Sequence, residues 1–586
     1  MPCDPLPGLS AYLESVDDAG IAALYSAFCK QPETSSLLAI CDQLFPRLEN
    51  AMWQDGNLDQ AVLKNYQAIV RETDAWLQKQ ENDPRHEFVV VIPVADRPRH
   101  LLACLRSLEK LRQAFPWGRL SVLVADDSRH AEHILEHQRM LDGFDSPELH
   151  CEYFGQDQQR QRLAELDSDC QQALQGVLGN VNARRFWHKG ASIMRNISYL
   201  ELARHKASNS KLLFWFVDSD QEFRATDEYA LNYLFHLDRL FARQEINVFT
   251  GKVVGDPPVS PAVMAANFLD DVQAFLARLT HVEPNARCSF HGPNVIYAND
   301  AAYHDMAELF GFKNEQGHFD YHCPLREAHD HRRCLEEYAA GLNRFFDGEH
   351  LTRQTAYEFL PLADTQAPAR TVYTGNYVLN RAGLEYFIPF ASLGLRMAGP
   401  VLGRIIAAEQ GNGFLSANLP LLHKRTLAEQ GRSEFRSGIE HQGAYSDISG
   451  EFERQYYGDV MLFSMIRLVE QGYPGNALSE KEIRDVLEEV EAGMAQRYAS
   501  KRQDILSRTA ALDALVNDTA QWWKEDEDVL VRMRRFLESM NRSFGDQALG
   551  VRQMLSPEHR SQRLDSMARA LQDYRGERAL WRQLLQ

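Results

Sequence analysis

Asp218 and Asp220 stand two residues apart, directly behind six apolar residues, Leu212-Leu213-Phe214-Trp215-Phe216-Val217. Two hard carboxylate ligands with a small serine between them suit Mg2+ or Mn2+ carrying a diphosphate. The apolar run reads as a strand buried on both faces. It delivers the aspartates at its carboxyl end, where open α/β sheets bind ligands. Residues i and i+2 leave a strand on the same side, so both carboxylates are expected to face one site. The plainer alternative is a turn or a helix cap after a strand.

Other strand ends offer related chemistry. Glu87 to Val94 reads as a buried strand that runs into Ala95-Asp96-Arg97, and Leu120 to Ala125 as a second strand ending in Asp126-Asp127. A carboxylate there can accept hydrogen bonds from a base or a ribose hydroxyl, and Arg97 can face a diphosphate. Leu419-Pro420-Leu421-Leu422 leads to His423, whose neutral ring nitrogen could join a metal site.

These residues need a scaffold. An amphipathic helix over 99–115, with Leu101, Leu102, Leu105, Leu108 and Leu111 on its buried face, links the first two strands into a βαβ unit with parallel strands. A polar helical stretch follows over about 155–185, then a helix near 190–207. Asn247–Thr250 is a further short strand, and Thr371-Val372-Tyr373-Thr374 resumes the sheet. Residues 1–85 read as an N-terminal helical region, with Asn82-Asp83-Pro84-Arg85 a plausible linker. The core nucleotide-binding part spans 86–255. A proline-rich, irregular insertion over 256–368 shapes one side of the cleft, 369–445 resumes the sheet, and 446–586 forms a C-terminal helical domain. The terminal helices could be a bundle, a coiled-coil-like arm or a homo-oligomer surface.

Composition bounds the function. A chain of 586 residues exceeds a single core. The formal net charge of −19 argues against non-specific nucleic-acid binding, while leaving room for a local basic pocket. No apolar run is long enough to span a bilayer, and the first residues lack a basic-then-apolar signal. Nine cysteines without a paired framework fit a reducing, cytoplasmic setting.

Four segments in this order resemble the nucleotide-sugar glycosyltransferases of the GT-A fold, most nearly the family-2-like group: VVVIPVADRPRHLLACLRSL, LSVLVADDS, HKGASIMRNISYLELA and FWFVDSDQEF. The resemblance implies an α/β, Rossmann-like, mostly parallel sheet domain, here flanked by helical N- and C-terminal regions. It implies a donor pocket lined by Pro93, Val94, Asp96 and Arg97, with Asp126 or Asp127 on the base or ribose. Lys189 and Arg195 would approach the nucleotide and its phosphates. Asp218 would touch the ribose or the Mn2+ or Mg2+ ion, and Asp220 and His423 would bind the ion. Tyr373 to Arg381 is similar to the family's Gly-Asn segment beside sugar and acceptor, which brings in Gly375 and, as a catalytic residue with Asp220, Asn376. The resemblance also implies that the 256–368 insertion is the acceptor side and that 369–445 completes the metal site. The implied activity is transfer of a sugar to a glycan, small molecule or protein. A sugar-phosphate nucleotidyltransferase would call for a Gly-rich loop where this chain has Ala95-Asp96-Arg97-Pro98; an inactive scaffold is the non-enzymatic alternative.

Two features stand outside that pattern. Inverting family-2 enzymes usually present an acidic pair where this chain has Leu395 to Arg404, so the expected general base is missing. Glu409 and Asp447 are the substitutes nearest in sequence, and retention of anomeric configuration is the other way out. Separately, His318, Asp320, His322, Cys323, His329, Asp330, His331 and Cys334 crowd into 17 residues. Zinc would accept Cys323, Cys334 and two histidines. The spacing fits no familiar finger, and a polar, His-rich loop is the expectation.

Overall fold

The computed structural model describes residues 6–15, 19–54, 56–146, 149–180, 182–205, 211–292, 318–427 and 434–586. Its centre is a nine-stranded mixed sheet: β1 (Glu87–Val94), β2 (Leu120–Asp126), β3 (His150–Phe154), β4 (Leu212–Val217), β5 (Gln221–Glu222), β6 (Val248–Gly255), β7 (Ala367–Pro368), β8 (Asn376–Leu379) and β9 (Phe414–His423). The order is β3-β2-β1-β4-β8-β6-β9-β5, with β7 beside β9. Strands β1 to β4 are mutually parallel. β8 runs antiparallel between β4 and β6, and β6 pairs parallel with β9. This is the mostly parallel, Rossmann-like sheet with helical regions at both ends of the chain that the GT-A resemblance implied.

Strand alternation divides the core. Phe88, Val90 and Ile92 of β1 and Leu213, Trp215 and Val217 of β4 join one apolar cluster with the N-terminal helices. Val89 and Val91, with Phe214 and Phe216, point to the opposite cluster, which takes in the C-terminal helices. A strand buried on both faces has to be apolar at every position, which is why Leu212–Val217 carries no polar residue. The two terminal helical regions therefore cover opposite faces of the sheet. Arg85 is fully buried and bonds to Asp74 at 2.6 Å and to Asp83 at 2.7 Å, so the expected linker is a packed junction.

Thr371–Thr374 is not a strand. The Tyr373 N–H donates to the Thr250 hydroxyl at 2.9 Å and the Val372 N–H to the Gly399 carbonyl, so neither is available for a ladder. Pairing begins at Asn376. The polar stretch after β3 breaks into short helices, Gln156–Ala164, Ser168–Ala173 and Gln175–Leu178, and the next helix is Ala191–Leu202. Among the described residues no helix is long and apolar enough to cross a membrane.

Candidate active site

Strand pairing brings Asp220 to His423. β4 ends at Val217, and the chain turns through Asp218–Asp220 with the Gln221 N–H bonded to the Asp218 carbonyl at 3.0 Å. The short β5 then runs antiparallel to β9, with Gln221 opposite His423, and the Lys424 N–H bonds to the Asp220 carbonyl at 3.0 Å. His423 Nε2 consequently lies 3.6 Å from Asp220 Oδ1. Its Nδ1 donates to the Asp256 carbonyl at 2.8 Å, which orients the ring so that Nε2 faces Asp220.

The turn also separates the two aspartates. Because Asp218 to Asp220 is not extended, the two-residue strand period does not hold. Asp218 instead pairs with Arg195, whose guanidinium also donates to the Thr374 carbonyl at 3.1 Å. Among the described residues Asp218, Asp220 and His423 do not form one three-ligand group. Asp220 and His423 lie side by side, while Asp218 is turned to Arg195.

Asp220 is 5% exposed and carries two further cations, Arg97 at 3.1 Å and Arg425 at 3.5 Å. Burial raises its pKa, but Arg97, His423 and Arg425 outweigh that and hold the carboxyl well below the ordinary range. Asp256 behaves oppositely: burial pushes its carboxyl up despite the Arg425 N–H bonded to it at 2.8 Å.

A cavity of about 590 Å³ opens beside His423, whereas Asp220 lines a second cavity of about 290 Å³ with Asp256 and Glu349. Lys189, Gly190, Ala191 and Ser192, at the start of the helix Ala191–Leu202, line one side with Arg195 and Asp218. Backbone N–H groups at a helix start and two cations form an environment for anionic oxygens. Tyr373, Thr374 and the 391–400 segment line another side, and His423 and Arg425 a third. The remaining wall comes from Arg454, His559 and Arg563 of the C-terminal helices. Basic residues thus predominate around a cleft in a protein of net charge −19.

Other predicted residues act as supports. Lys189 meets Asp127 at 2.5 Å, and the Gly190 N–H meets the same carboxylate at 3.3 Å, so Asp127 positions the cleft helix. Asp126, 1% exposed, accepts from the Ser128 N–H, Tyr153 and His137 and is closed to a base or ribose. Asp96 has φ of 52°, a left-handed conformation that aspartate tolerates, and accepts bonds from the Arg129 and His130 N–H groups and from His188 at 2.6 Å. The Val94 carbonyl accepts the Asp127 N–H at 2.8 Å, and Pro93 sits half-buried in β1. Neither Pro93, Val94, Asp96 nor Arg97 lines the 590 Å³ cavity.

Asn376, expected to be catalytic, is 1% exposed. It accepts from Trp215 Nε1 at 2.9 Å and donates to the Lys252 and Leu419 carbonyls at 3.0 and 2.9 Å. Its amide cross-links β4, β6 and β9 and reaches no cavity surface. Gly375 is required for a different reason. A Cβ there would stand 2.7 Å from Gln221 Nε2 and 3.0 Å from Asp218 Oδ2.

No residue of the 395–404 segment supplies the missing acid, and both substitutes are engaged elsewhere. Glu409 pairs with Arg578 at 2.8 Å, and Asp447 accepts the Ser449 N–H at 2.7 Å. The carboxylates lining the cleft are Asp218 and Glu453, and Glu453 is held by Arg563 at 2.8 Å and His559 at 2.9 Å. Sequence reasoning missed Arg425, Asp256 and the C-terminal wall. Arg425 had a signal, its place two residues after His423; Arg454 and Arg563 had none, because nothing in the C-terminal helices pointed to a place beside the cleft.

No family model matches the sequence, and no curated protein matches it. Solved structures similar to it include the mannosyltransferase PcManGT from Pyrobaculum calidifontis in complex with GDP-Man and Mn2+ (10% identity, TM-score 0.31, 92% of this chain and 99% of that one). Core-mannan synthase A from Aspergillus fumigatus in its Mn/GDP form aligns at 10% identity and TM-score 0.21 over 56% of this chain and 66% of that one. S. aureus TarS 1-349 aligns at 11% identity and TM-score 0.23 over 84% and 91%. Similarity of that extent carries no argument about activity, which rests on the residues above.

Proposed function

We propose that this protein is a metal-dependent glycosyltransferase that takes a nucleotide-diphosphate sugar as donor and retains anomeric configuration. The observation that carries the reading is the Asp220–His423 pair, whose histidine lines a basic cleft. A carboxylate oxygen with a neutral imidazole nitrogen suits Mn2+, and less closely Mg2+, as a donor set. Bound there, such an ion would neutralise charge developing on the leaving diphosphate.

The chain's own residues supply the rest. Lys189, Arg195 and the start of the helix Ala191–Leu202 hold the diphosphate. Arg97 and Arg425 balance Asp220 and stand ready to share the donor's charge. Tyr373, Thr374 and the 391–400 segment form the acceptor side, where a hydroxyl attacks the anomeric carbon. Retention is supported by the engagement of both cleft carboxylates in ion pairs, which leaves neither poised to deprotonate an acceptor.

The scaffold reading has one observation in its favour: two guanidinium groups already accompany Asp220. A hydrolysis screen separates the two. Purified protein with Mn2+ and a panel of nucleotide sugars is expected to hydrolyse at least one donor slowly, with the released sugar first appearing as the donor's own anomer. No hydrolysis and no binding of any donor would leave the scaffold.

A further inference from the structure

Cys288, Cys323, His329 and Cys334 present three sulfurs and an imidazole nitrogen that all lie within 4.8 Å of one another. Separate pieces of the insertion deliver them. Cys288 follows the helix Pro261–Leu279, Cys323 and His329 come from an irregular stretch, and Cys334 sits in the first turns of the helix His331–Leu342. The backbone locks these pieces together: the Cys288 N–H bonds to the His329 carbonyl at 2.9 Å, and the Cys323 N–H to the Phe290 carbonyl at 2.7 Å. Asp330 caps the helix through the Arg333 N–H.

The imidazole is set for ligation. His329 Nδ1 is 2.7 Å from the Glu327 carbonyl, so the proton resides on Nδ1. Nε2, 3.2 Å from Cys323 Sγ, keeps its lone pair toward the sulfurs. A tetrahedral zinc with Zn–S bonds of about 2.3 Å has S···S edges of about 3.8 Å, within the observed spread. The three cysteines are buried together, so a bound ion would be shielded from water.

We propose that Cys288, Cys323, His329 and Cys334 bind a structural zinc ion. With four protein ligands the coordination is closed, so the ion has no place for substrate and acts by holding the fold. It would pin the segment around Cys288 to the start of the helix His331–Leu342. That helix leads through Asn343–Asp347 to Glu349, which lines a second cavity with Asp220. The spacing Cys-x34-Cys-x5-His-x4-Cys hides the site in the sequence, because Cys288 lies far from the visible cluster. Two other members of that cluster are otherwise employed: Asp320 pairs with Arg278 at 2.7 Å, and His331 bonds to the Glu283 carbonyl and to Ser289.

The test uses the full chain, purified in reducing buffer without chelator or a metal-affinity step. Elemental analysis is expected to find one zinc per chain. Exchange with Co2+ is expected to give the visible bands of a tetrahedral site and near-ultraviolet thiolate charge transfer. Cys288→Ser and Cys323→Ser should lose the metal, while Cys104→Ser, outside the cluster, should keep it. If the cysteine variants fail to fold, His329→Ala and His329→Cys decide: alanine should lower occupancy and cysteine restore it. Folded protein with no metal above background would overturn the proposal. So would a disulfide joining two of Cys288, Cys323 and Cys334, located by peptide mass mapping under non-reducing conditions.

Discussion

His423 Nε2 stands 3.6 Å from Asp220 Oδ1, and the opposite nitrogen of the same ring is bonded to the Asp256 carbonyl. Both partners come from strand ends that pair in register, so the juxtaposition is built by the sheet rather than by a mobile loop. Losing either ligand should then cost metal affinity directly. His423→Ala is expected to weaken Mn2+ binding by about 100-fold or more, since perturbing partners one shell further out already costs about 10–100-fold. Titration of free Mn2+ by its paramagnetic resonance signal measures this; unchanged affinity would remove His423 from the site.

Asn376 separates a structural from a catalytic role. Asn376→Ala strands the Trp215 indole N–H and two carbonyls in the core. Each unsatisfied buried group costs about 1–3 kcal/mol, so a loss of roughly 3 kcal/mol or more in chemical unfolding is expected. Turnover per folded molecule should stay within a few-fold of wild type. A stable variant with abolished turnover would restore the catalytic assignment.

Gly375→Ala tests the turn that holds Asp218. The added methyl would press on Gln221, Tyr373 and Asp218 at 2.7 to 3.0 Å. Asp218 should move off Arg195, and the donor's KM should rise at least several-fold. Wild-type kinetics would mean that this turn does not position the donor.

Glu349 gives a pH signature. Burial and the nearby Asp256 push its carboxyl from 4.5 up to about 7, against the pull of Arg344. A raised carboxyl contributes stability that is complete below its unfolded pKa and is lost as pH rises to the folded value. A shift of that size corresponds to about 3 kcal/mol. Glu349→Gln removes this dependence, so wild type should lose about that much relative to the variant between about pH 4 and pH 8. Chemical unfolding across that range checks it; a pH-independent difference would contradict the assignment.

Much of the scaffold could be read from the chain because its signals were local. Buried strands are apolar through their central positions, so β1, β2 and β4 stood out, as did the acids and the histidine at strand ends. What escaped reading depended on long-range geometry. The turn at Asp218–Asp220 breaks the strand period, so one aspartate goes to Arg195 and the other to His423. Thr371–Thr374 has strand composition but loses its N–H groups to Thr250 and Gly399. Asn376 sits beside the cleft in sequence and inside the core in space, accommodated by Gly251, where a Cβ would meet its amide at 2.2 Å. Arg454 and Arg563 carry no periodic or motif signal, and only tertiary packing turns them toward the cleft.

The central claim is that Asp220 and His423 hold a divalent ion that serves a nucleotide diphosphate in the adjoining basic cleft. Calorimetric titration of the full chain with GDP and UDP, each with Mn2+ and with excess chelator, tests it most directly. The account predicts that at least one binds with Mn2+, that chelator abolishes this binding, and that Asp220→Asn does the same while the protein stays folded. Binding of equal strength with chelator, or in Asp220→Asn, would contradict it.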